Sequence, residues 1–582
     1  MKYGKHFLGF VVILYAVFFM AVSPLREFPS GDAWVYSMAV RDFLKTYQLK
    51  LPQLCLTSFL PQILWGSFFC LFSKGFSFGM LNLSTFILSL AGSASFYLIL
   101  KRLRIKEELC ALGALCLILN PVYFFLTFTF MLDVPCLALM LISVLLYLKG
   151  LDEGSDRTLF LASLPCAASL LIKQQGAVIP FSFALYLFLT QKKERILLKK
   201  IILSCIVPFI VFCVYITWYI LFYLPGSIVA FYHPLSAASS SYSDRFSYLK
   251  DVPRNLFIVL LYLGIFITPL LLGSLSAVKK AFKDKKIAIA GLIFSAITIK
   301  LAFGFLPRVV SGNFLDTNLM PYGLAIMHKW GVGPVSILGD KSIFFNSGQQ
   351  MFITLISFLS ALALAMALLV RLPTLFREDK RNLIFIIGIL QLMFMLFFML
   401  RYADHNLVYF LPMAILLAIE VLEKTGFSRA AVIAGLALMA FYSILGTRDY
   451  MNWNQARWEA ANDLLKEGVA ANNIEGGYEW GYLVYSDSAV EKRRKEIEAN
   501  QEDKYTTPKW IAYIEPKYDP EYIISFSPSL RKGDYLHRFS SAKNTSGLRS
   551  EWDFKAYRRK QYYNALKFRK ENIYVLKRIL RE

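Results

Sequence analysis

The chain has 582 residues, of which 57% are hydrophobic and 18% charged, and its formal net charge is +23. A soluble protein of this length could not bury so much apolar surface, and the composition also excludes disordered, collagen-like and disulfide-scaffold proteins. It predicts a polytopic α-helical membrane protein, whose scattered Lys and Arg face anionic lipid rather than nucleic acid.

Thirteen apolar runs of bilayer-spanning length occur in the first three quarters of the chain. The first is too long for the core of a signal peptide and has no small-residue cleavage site, so we interpret it as a retained helix. We therefore expect about thirteen transmembrane helices. The runs lie at about 6–24, 77–100, 108–126, 133–149, 158–172, 176–190, 200–224, 256–277, 287–306, 351–370, 383–400, 405–421 and 430–446.

The basic residues between the runs predict the orientation of the protein in the cell (plasma or inner) membrane. Lys and Arg cluster after the second, sixth, eighth, tenth and twelfth runs, on the same side as Lys2 and Lys5. Positively charged loops stay in the cytoplasm, so we expect the N-terminus and these loops there. An odd number of spans then places the C-terminal part outside.

Three long segments on the opposite side contain aromatic residues, Pro, Gly and Asp, at about 25–76, 225–255 and 307–350. Within the first, residues 58–73 are apolar enough to resemble a span. Counting them as one would place the basic residues 101–106 outside. The pattern therefore favours a helix that lies in the membrane interface.

From about residue 447 charged residues become frequent, and no later run could span a bilayer. We therefore predict a transmembrane domain over 1–446 and a small extracytoplasmic α/β domain over 447–582. Within the second, Trp453–Gly468 has a helical period. Tyr522–Phe526 and Asn572–Lys577 are typical of strands.

Asp32 lies in the first external segment, just beyond the first helix and close to Trp34 and Tyr36. A carboxylate there could accept a proton from an acceptor hydroxyl as a general base. Asp is also a good N-cap, and a helix is predicted from here to about Thr46, so a purely structural role stays open. Asp32 is the first catalytic candidate, and Tyr36 accompanies it.

Asp133 is the second acidic candidate, at the external end of the fourth predicted helix. An ionisable group at membrane depth is costly and usually functional. Pro135 suits the first turn of a helix, so a capping role for Asp133 is the alternative.

Lys173 follows the run 158–172 on the external side, against the positive-inside trend. Its ammonium could neutralise a lipid phosphate, or it could snorkel to lipid headgroups. Arg245 and Arg254, in or at the edge of the second long external segment, are further candidates for binding phosphate.

Arg401, Tyr402 and His405 join two spans on the external side. His405 could titrate near neutrality, or serve as a hydrogen-bonding group in a tight hairpin. The five histidines are too scattered to predict a metal site, and no glycine-rich loop for nucleotide phosphates occurs. The sequence thus indicates no cofactor and leaves a requirement for a divalent cation open.

Four motifs occur in an order that resembles a known family: Gly31-Asp32-Ala33, Asp133–Pro135, Leu170–Lys173 and Arg401–Pro412. Together with the expected topology they resemble bacterial GT-C glycosyltransferases of the family 39 type, which include protein-mannosyltransferase and aminoarabinose-transferase relatives. The segments Trp458–Trp480 and Ile573–Arg578 are similar to the outer domain of many bacterial members.

The resemblance implies a polyprenyl-phosphate sugar donor bound among the helices, with transfer on the extracytoplasmic face. Asp32 falls where the family has its catalytic acidic residue. Asp133 and Lys173 match a second acidic position and a phosphate-binding lysine. The chain differs from many members in that Ala33 follows Asp32 and Gln62 follows Pro61.

The expected function is therefore transfer of a sugar to a cell-envelope glycan, lipid or protein. A transporter or flippase of a lipid-linked sugar is one alternative, and a non-catalytic envelope-assembly protein is another. Transporters tend to carry ionisable groups near the middle of the bilayer and to show internal repeats. Here the charged candidates lie at the outer boundary and no repeat is visible, which favours the enzyme.

Overall fold

The computed structural model describes residues 2–49, 51, 57–190, 194–223, 252–274, 319–323, 325–375, 377–398, 403–477, 479–480, 483, 520–530 and 552–580. Within these residues the chain is mostly helical, and a small sheet is built near its C-terminal end. This architecture confirms a polytopic α-helical membrane protein with a sheet-containing C-terminal region.

Fifteen α-helices are described. They are α1 (Lys2–Val22), α2 (Ala33–Thr46), α3 (Leu60–Cys70), α4 (Phe78–Arg102), α5 (Glu107–Ile118), α6 (Pro121–Thr127), α7 (Asp133–Glu153), α8 (Asp156–Ile172), α9 (Val178–Thr190), α10 (Glu194–Trp218), α11 (Val252–Leu272), α12 (Ser347–Arg371), α13 (Arg381–Phe398), α14 (Leu411–Thr425) and α15 (Arg429–Lys466).

Each predicted run that falls on described residues is helical there, and the run 108–126 is divided between α5 and α6; the run 287–306 lies outside the described residues. Within the described residues, seven helical segments are long and apolar enough to cross a bilayer. An eighth crossing is obtained if α5 and α6, which meet at a bend of 65°, count as one broken span. The count of thirteen spans stays a prediction. Residues 58–73 form α3 and a short 3-10 turn, as a helix was expected there.

Buried hydroxyl groups join the helices in the middle of the bundle. The Tyr15 hydroxyl lies 2.7 Å from Ser89 Oγ and 2.9 Å from Ser93 Oγ. Tyr123, on α6, donates to the Ser89 carbonyl at 3.1 Å. A polar group in hydrocarbon has no water to bond, so such side chains must find partners on neighbouring helices. This network connects α1, α4 and α6.

Ion pairs gather at one end of the bundle, where the predicted cytoplasmic loops meet. Arg102 Nη1 lies 2.7 Å from Asp152 Oδ2, and Lys380 contacts the same carboxylate. Arg381 Nη1 lies 2.9 Å from Glu423 Oε2. These contacts bring four predicted cytoplasmic loops to a common end. The first and third long external segments lie at the other.

The C-terminal sheet has the strand order β3-β4-β7-β6-β5. Its strands are β3 (Ile474–Glu475), β4 (Tyr522–Ser525), β5 (Ser529–Leu530), β6 (Trp552–Asn564) and β7 (Arg569–Leu580), and a separate two-stranded ribbon consists of β1 (Met327–His328) and β2 (Gly331–Val332). The strands β6 and β7 form a long antiparallel hairpin, while β3 runs parallel to β4. Both strands expected from the sequence are present, within β4 and β7.

A segment of the third external loop, residues 325–346, packs onto this sheet, and we call it the strap. Leu338 forms a parallel bridge with Ser525 and joins a small apolar cluster of the sheet. Lys341 Nζ lies 3.0 Å from Asp449 Oδ2, and both side chains are buried. Because α15 runs unbroken through residue 447, the predicted domain boundary falls inside a helix. The division into two domains stays a prediction.

Candidate active site

Asp32 lies at the N-cap position of α2, but its side chain makes no capping hydrogen bond. Its backbone is helical, with φ −70° and ψ 0°, and Gly31 precedes it with φ +59°, a conformation that favours glycine. Among the described residues the carboxylate has no hydrogen-bond or ion-pair partner. A capping role therefore does not account for this residue.

The Asp32 side chain is exposed to solvent, although many protein atoms surround its carboxylate. Burial raises its pKa above the ordinary value, and the negative charges of Glu479 and Asp133 raise it further. The positive charge of Lys173 acts in the opposite direction. Three charged groups from three distant parts of the sequence thus act on this carboxylate.

Lys173 is held by a buried pair of acceptors. Its ammonium donates to Asp133 Oδ1 at 2.6 Å and to Asn406 Oδ1 at 2.8 Å. The side chain of Lys173 is 14% exposed and that of Asp133 only 2%. The Lys173 ammonium is therefore directed inward and does not snorkel to the surface.

A tight turn after α8 directs Lys173 towards this pair. Lys173 ends the helix in extended conformation, with φ −153° and ψ 142°. The 3-10 turn Gln174–Ala177 then folds back so closely that a Cβ on Gly176 would lie 2.4 Å from the Leu170 nitrogen. Only glycine fits there, and this close approach fixes the end of α8 beside the start of α7.

The 3-10 helix Asp404–Phe410, just before α14, supplies the other side of the Lys173 site. The Tyr409 hydroxyl lies 3.4 Å from Asp133 Oδ1, and the Lys173 ammonium lies 5.5 Å from the centre of the Tyr409 ring. Asp133 and Lys173 both act electrostatically on His405. Asp404 accepts hydrogen bonds from the backbone of Ile326 and Met327 at 2.7–3.0 Å, which ties the strap to this helix.

The helix α3 supports the Asp133–Lys173 pair from the side of the first external segment. Ser58 Oγ donates to the Leu171 carbonyl at 2.6 Å. The buried Gln62 side-chain nitrogen lies 3.3 Å from the carbonyl oxygens of both Phe130 and Met131. The backbone just before Asp133 is therefore anchored to α3, and the backbone just before Lys173 is anchored to Ser58, two positions before that helix begins.

Five predicted site residues thus lie in one region: Asp32, Tyr36, Asp133, Lys173 and His405. The Tyr36 ring packs edge-on against Phe59, 5.2 Å away, at the start of α3. Arg245, Arg401 and Tyr402 lie outside the described residues, and of Arg254 only the backbone, in α11, is described. In the described part of the chain, no three His, Cys, Asp or Glu side chains are placed to hold a metal ion.

Two residues of this region were not predicted as site residues. Asn406 is neutral and carries no sequence signal of its own. Glu479 belongs to the segment that resembles the family's outer domain, and its flanking Gly476, Gly477 and Trp480 mark a turn with a buried aromatic. That local pattern could have drawn attention to it.

Residues 58–219, which extend from α3 to α10 and include Asp133 and Lys173, match the family model described as dolichyl-phosphate-mannose-protein mannosyltransferase. This match confirms the resemblance to GT-C glycosyltransferases of the family 39 type. Among curated proteins, none matches the chain.

The chain is also similar to solved structures of the archaeal oligosaccharyltransferase AglB from Archaeoglobus fulgidus. The structure of AglB in complex with an inhibitory peptide and a dolichol-phosphate has 10% sequence identity to this chain and a TM-score of 0.43. The similarity covers 89% of this chain and 69% of the AglB chain. The structure of the Archaeoglobus fulgidus oligosaccharyltransferase in complex with Zn and sulfate has 10% sequence identity to this chain and a TM-score of 0.44. The similarity covers 88% of this chain and 67% of that oligosaccharyltransferase.

Proposed function

We propose that this chain is an integral-membrane glycosyltransferase that moves a sugar from a polyprenyl-phosphate donor to an acceptor outside the cytoplasm. The match of residues 58–219 to a mannosyltransferase family supports the reaction class. The arrangement that carries the proposal has two parts. The Asp32 carboxylate has no hydrogen-bond or ion-pair partner among the described residues, and the charge of Lys173, a lysine held in place by Asp133 and Asn406, acts on it.

Lys173 is suited to receive the donor phosphate. An ammonium has three N–H donors, and Asp133 and Asn406 occupy two of them. The third is available to a phosphate oxygen. Asp133 then serves to position the ammonium, because a lysine fixed by a buried carboxylate is already oriented when the donor binds.

Asp32 is suited to act as the general base. In the proposed step the acceptor hydroxyl oxygen forms a bond to the anomeric carbon of the sugar and gives its proton to Asp32. The bond between that carbon and the phosphate oxygen breaks, and its electron pair leaves on the polyprenyl phosphate. The Lys173 charge stabilises the departing phosphate. A carboxylate whose pKa is raised above its ordinary value is a stronger base for this purpose.

Release of polyprenyl phosphate tests the proposal. Purified protein in lipid nanodiscs is supplied with polyprenyl-phosphate sugars labelled in the sugar and with envelope acceptors, and both products are quantified. We expect label in the acceptor and an equal amount of free polyprenyl phosphate. In sealed vesicles, movement of intact donor between leaflets without release would instead identify a flippase, and neither activity would be expected of an assembly protein.

A further inference from the structure

The turn of the β6–β7 hairpin exposes an aromatic side chain in an unfavourable backbone conformation. Phe568 is 61% exposed, and its φ of +52° lies in the left-handed region that bulky residues rarely adopt. Both properties are costly where the ring faces water, because no burial of the side chain offsets the backbone strain. A surface other than water is therefore expected beside this ring.

The turn lies beside the part of α15 that is predicted to cross the membrane. The centre of the Phe568 ring is 6.2 Å from that of the Phe441 ring, and Phe441 belongs to the apolar run 430–446. The first charged residue after Phe441 is the exposed Arg448, seven positions or about 10 Å further along the helix. A charged side chain is costly within hydrocarbon, so Phe568 contacts α15 on the hydrocarbon side of Arg448.

Further aromatic rings lie close to this level. The rings of Phe344 and Phe345, in the strap, have centres 6.1 Å and 5.3 Å from that of Tyr442 on α15. Ser342 Oγ donates to Glu571 Oε1 at 2.8 Å, which ties this part of the strap to the hairpin. Belts of aromatic side chains occur where a membrane protein passes from hydrocarbon to water. The hairpin turn is therefore fixed at a position typical of the membrane interface.

Basic residues flank the exposed ring on both sides. Lys567 and Arg569 share the Glu571 carboxylate, at nitrogen–oxygen distances of 4.0 Å and 2.7 Å. Lys570 is exposed and takes part in no ion pair among the described residues. It lies opposite Tyr563 in the hairpin, and Tyr563 is 44% exposed. Three cations against one carboxylate, together with exposed aromatic rings, are the composition that binds anionic lipid.

We propose that the turn 565–570 is a membrane contact, in which Phe568 enters the leaflet nearest the C-terminal sheet and Arg569 and Lys570 bind lipid phosphates. The partner is anionic phospholipid, because the turn carries a positive charge that a zwitterionic headgroup does not balance. The contact does not depend on the proposed transfer reaction. It gives the C-terminal sheet an attachment to the bilayer in addition to α15.

Photo-crosslinking of the full chain tests the proposal. Phe568→p-benzoylphenylalanine keeps an aromatic ring at the turn and, when irradiated, forms covalent adducts with the C–H bonds that it touches. The protein is placed in nanodiscs with equal amounts of phosphatidylglycerol and phosphatidylcholine, and adducts are identified by peptide mass spectrometry. We expect lipid adducts on the peptide that contains position 568, with phosphatidylglycerol exceeding phosphatidylcholine by roughly threefold.

Matched variants separate the turn from the rest of the hairpin. Tyr557 is 46% exposed but lies seven residues, or about 23 Å, before the end of β6, so Tyr557→p-benzoylphenylalanine should give no lipid adducts. Lys570→Gln, added to the photoreactive Phe568 variant, should lower the preference for phosphatidylglycerol by roughly twofold or more. Lys555→Gln removes an exposed lysine elsewhere on β6 and should leave that preference unchanged.

Three results would contradict the proposal. The absence of lipid adducts at position 568, in protein that remains folded, would overturn the membrane contact. Lipid adducts without a preference for phosphatidylglycerol would overturn anionic phospholipid as the partner. Adducts to a second copy of the chain in place of lipid would overturn the proposal in favour of an interface between protein molecules.

Discussion

At the scale of single residues, Asp32 differs in its surroundings from Asp42, the acidic residue within α2. Asp42 lies on the exposed part of that helix and pairs with Arg41, 3.6 Å away. Because Asp32 makes no capping bond, Asp32→Asn should leave the unfolding midpoint of the protein unchanged. We expect its turnover to fall by roughly 100-fold or more, as is usual for loss of a general base.

The measurement is the rate of polyprenyl-phosphate release at saturating donor, with donor binding recorded separately. Asp42→Asn serves as the control and should keep wild-type turnover. Near-normal turnover of folded Asp32→Asn would remove Asp32 from the mechanism.

Lys173→Met should have two effects that can be separated. It removes the cation of a buried pair and leaves the Asp133 carboxylate unpaired, which typically costs about 3–5 kcal/mol of stability. It also removes the proposed phosphate ligand. Adding Asp133→Asn to Lys173→Met should restore much of the stability, but donor affinity should stay low.

Thermal unfolding and equilibrium binding of a labelled donor measure the two effects. Donor affinity that returns with stability in the double variant would mean that Lys173 holds the fold together without contacting phosphate.

The residues found from the sequence share a physical property: an ionised group at the edge of a bilayer is costly, and so it stands out from an apolar run. Asp133 and Lys173 were recognisable for this reason. Asn406 was not recognised as a site residue, because a neutral amide is unremarkable until its partners are known. Its partner Lys173 lies 233 positions away in the chain.

At the scale of elements, α3 has one face in the protein and one outside it. Ile63, Gly66 and Cys70 are buried, whereas Phe68, and Phe72 in the 3-10 turn that follows α3, are 50% and 71% exposed. An exposed aromatic face of this kind fits a helix lying in the membrane interface. The buried face includes Gln62, whose side chain donates to the backbone carbonyls of the turn that precedes Asp133.

Gln62→Leu should therefore loosen the Asp133–Lys173 pair, although the Gln62 side chain bonds only to the backbone before Asp133. The carbonyls of Phe130 and Met131 lose a buried donor, which we expect to cost about 1–3 kcal/mol. The KM for donor should rise more than kcat falls, as measured by steady-state kinetics. Ser67→Ala, on the same helix, removes a buried hydroxyl that has no hydrogen-bond partner among the described residues, and it should change neither value. An unchanged KM in Gln62→Leu would dismiss this anchoring role.

The hairpin β6–β7 is held to the strap by Glu571. Burial alone would raise the pKa of this carboxyl, but hydrogen bonds from Asn564, Arg569, Ser342 and Tyr562 outweigh it and lower the pKa from 4.5 to about 2. A lowered pKa in the folded state means that Glu571 contributes stability in full above about pH 4.5. That contribution is lost as the pH falls towards 2.

We therefore expect Glu571→Gln to lower the unfolding temperature at pH 6, and expect the difference from the wild type to shrink at pH 3. Glu467→Gln, which breaks an exposed pair with Arg558, should have little effect at either pH. A difference that does not depend on pH would show that the loss comes from packing rather than charge.

The predicted helices follow the apolar runs because a bilayer requires every backbone group to be bonded within its own segment. Two elements could not be predicted this way. The bend between α5 and α6 depends on Asn120, whose side chain accepts from Val122 and Tyr123, followed by Pro121. The strap pairs with β4 through Leu338 and Ser525, and no local sequence pattern predicts a contact between residues so far apart in the chain.

At the scale of the whole molecule, the fold separates two ends of different chemistry. One end carries the ion pairs of Arg102, Asp152, Lys380 and Arg381. The other carries Asp32, the Asp133–Lys173 pair and the sheet. The basic loops predict that the first end faces the cytoplasm.

Epitope tags inserted at Arg104 and at Lys380 should accordingly be reached by antibody only after the membrane is permeabilised. A tag fused after Glu582 should be reached in intact spheroplasts. If the tag after Glu582 were protected, the number of spans would be even, and the proposed extracytoplasmic site would be in the wrong compartment.

The length of the helix α15 limits where residues can be inserted into this protein. At about 1.5 Å per residue its 38 residues extend for about 57 Å, nearly twice the hydrocarbon thickness of a bilayer. Ser443 donates to the Leu119 carbonyl inside the bundle, and Arg457 binds Glu479 about four turns further on. The helix between Ser443 and Arg457 fixes the direction of one side chain relative to the other. One inserted residue between them would rotate Arg457 by about 100° and carry it away from Ser336 of the strap, which it contacts, so this stretch of helix cannot change its length.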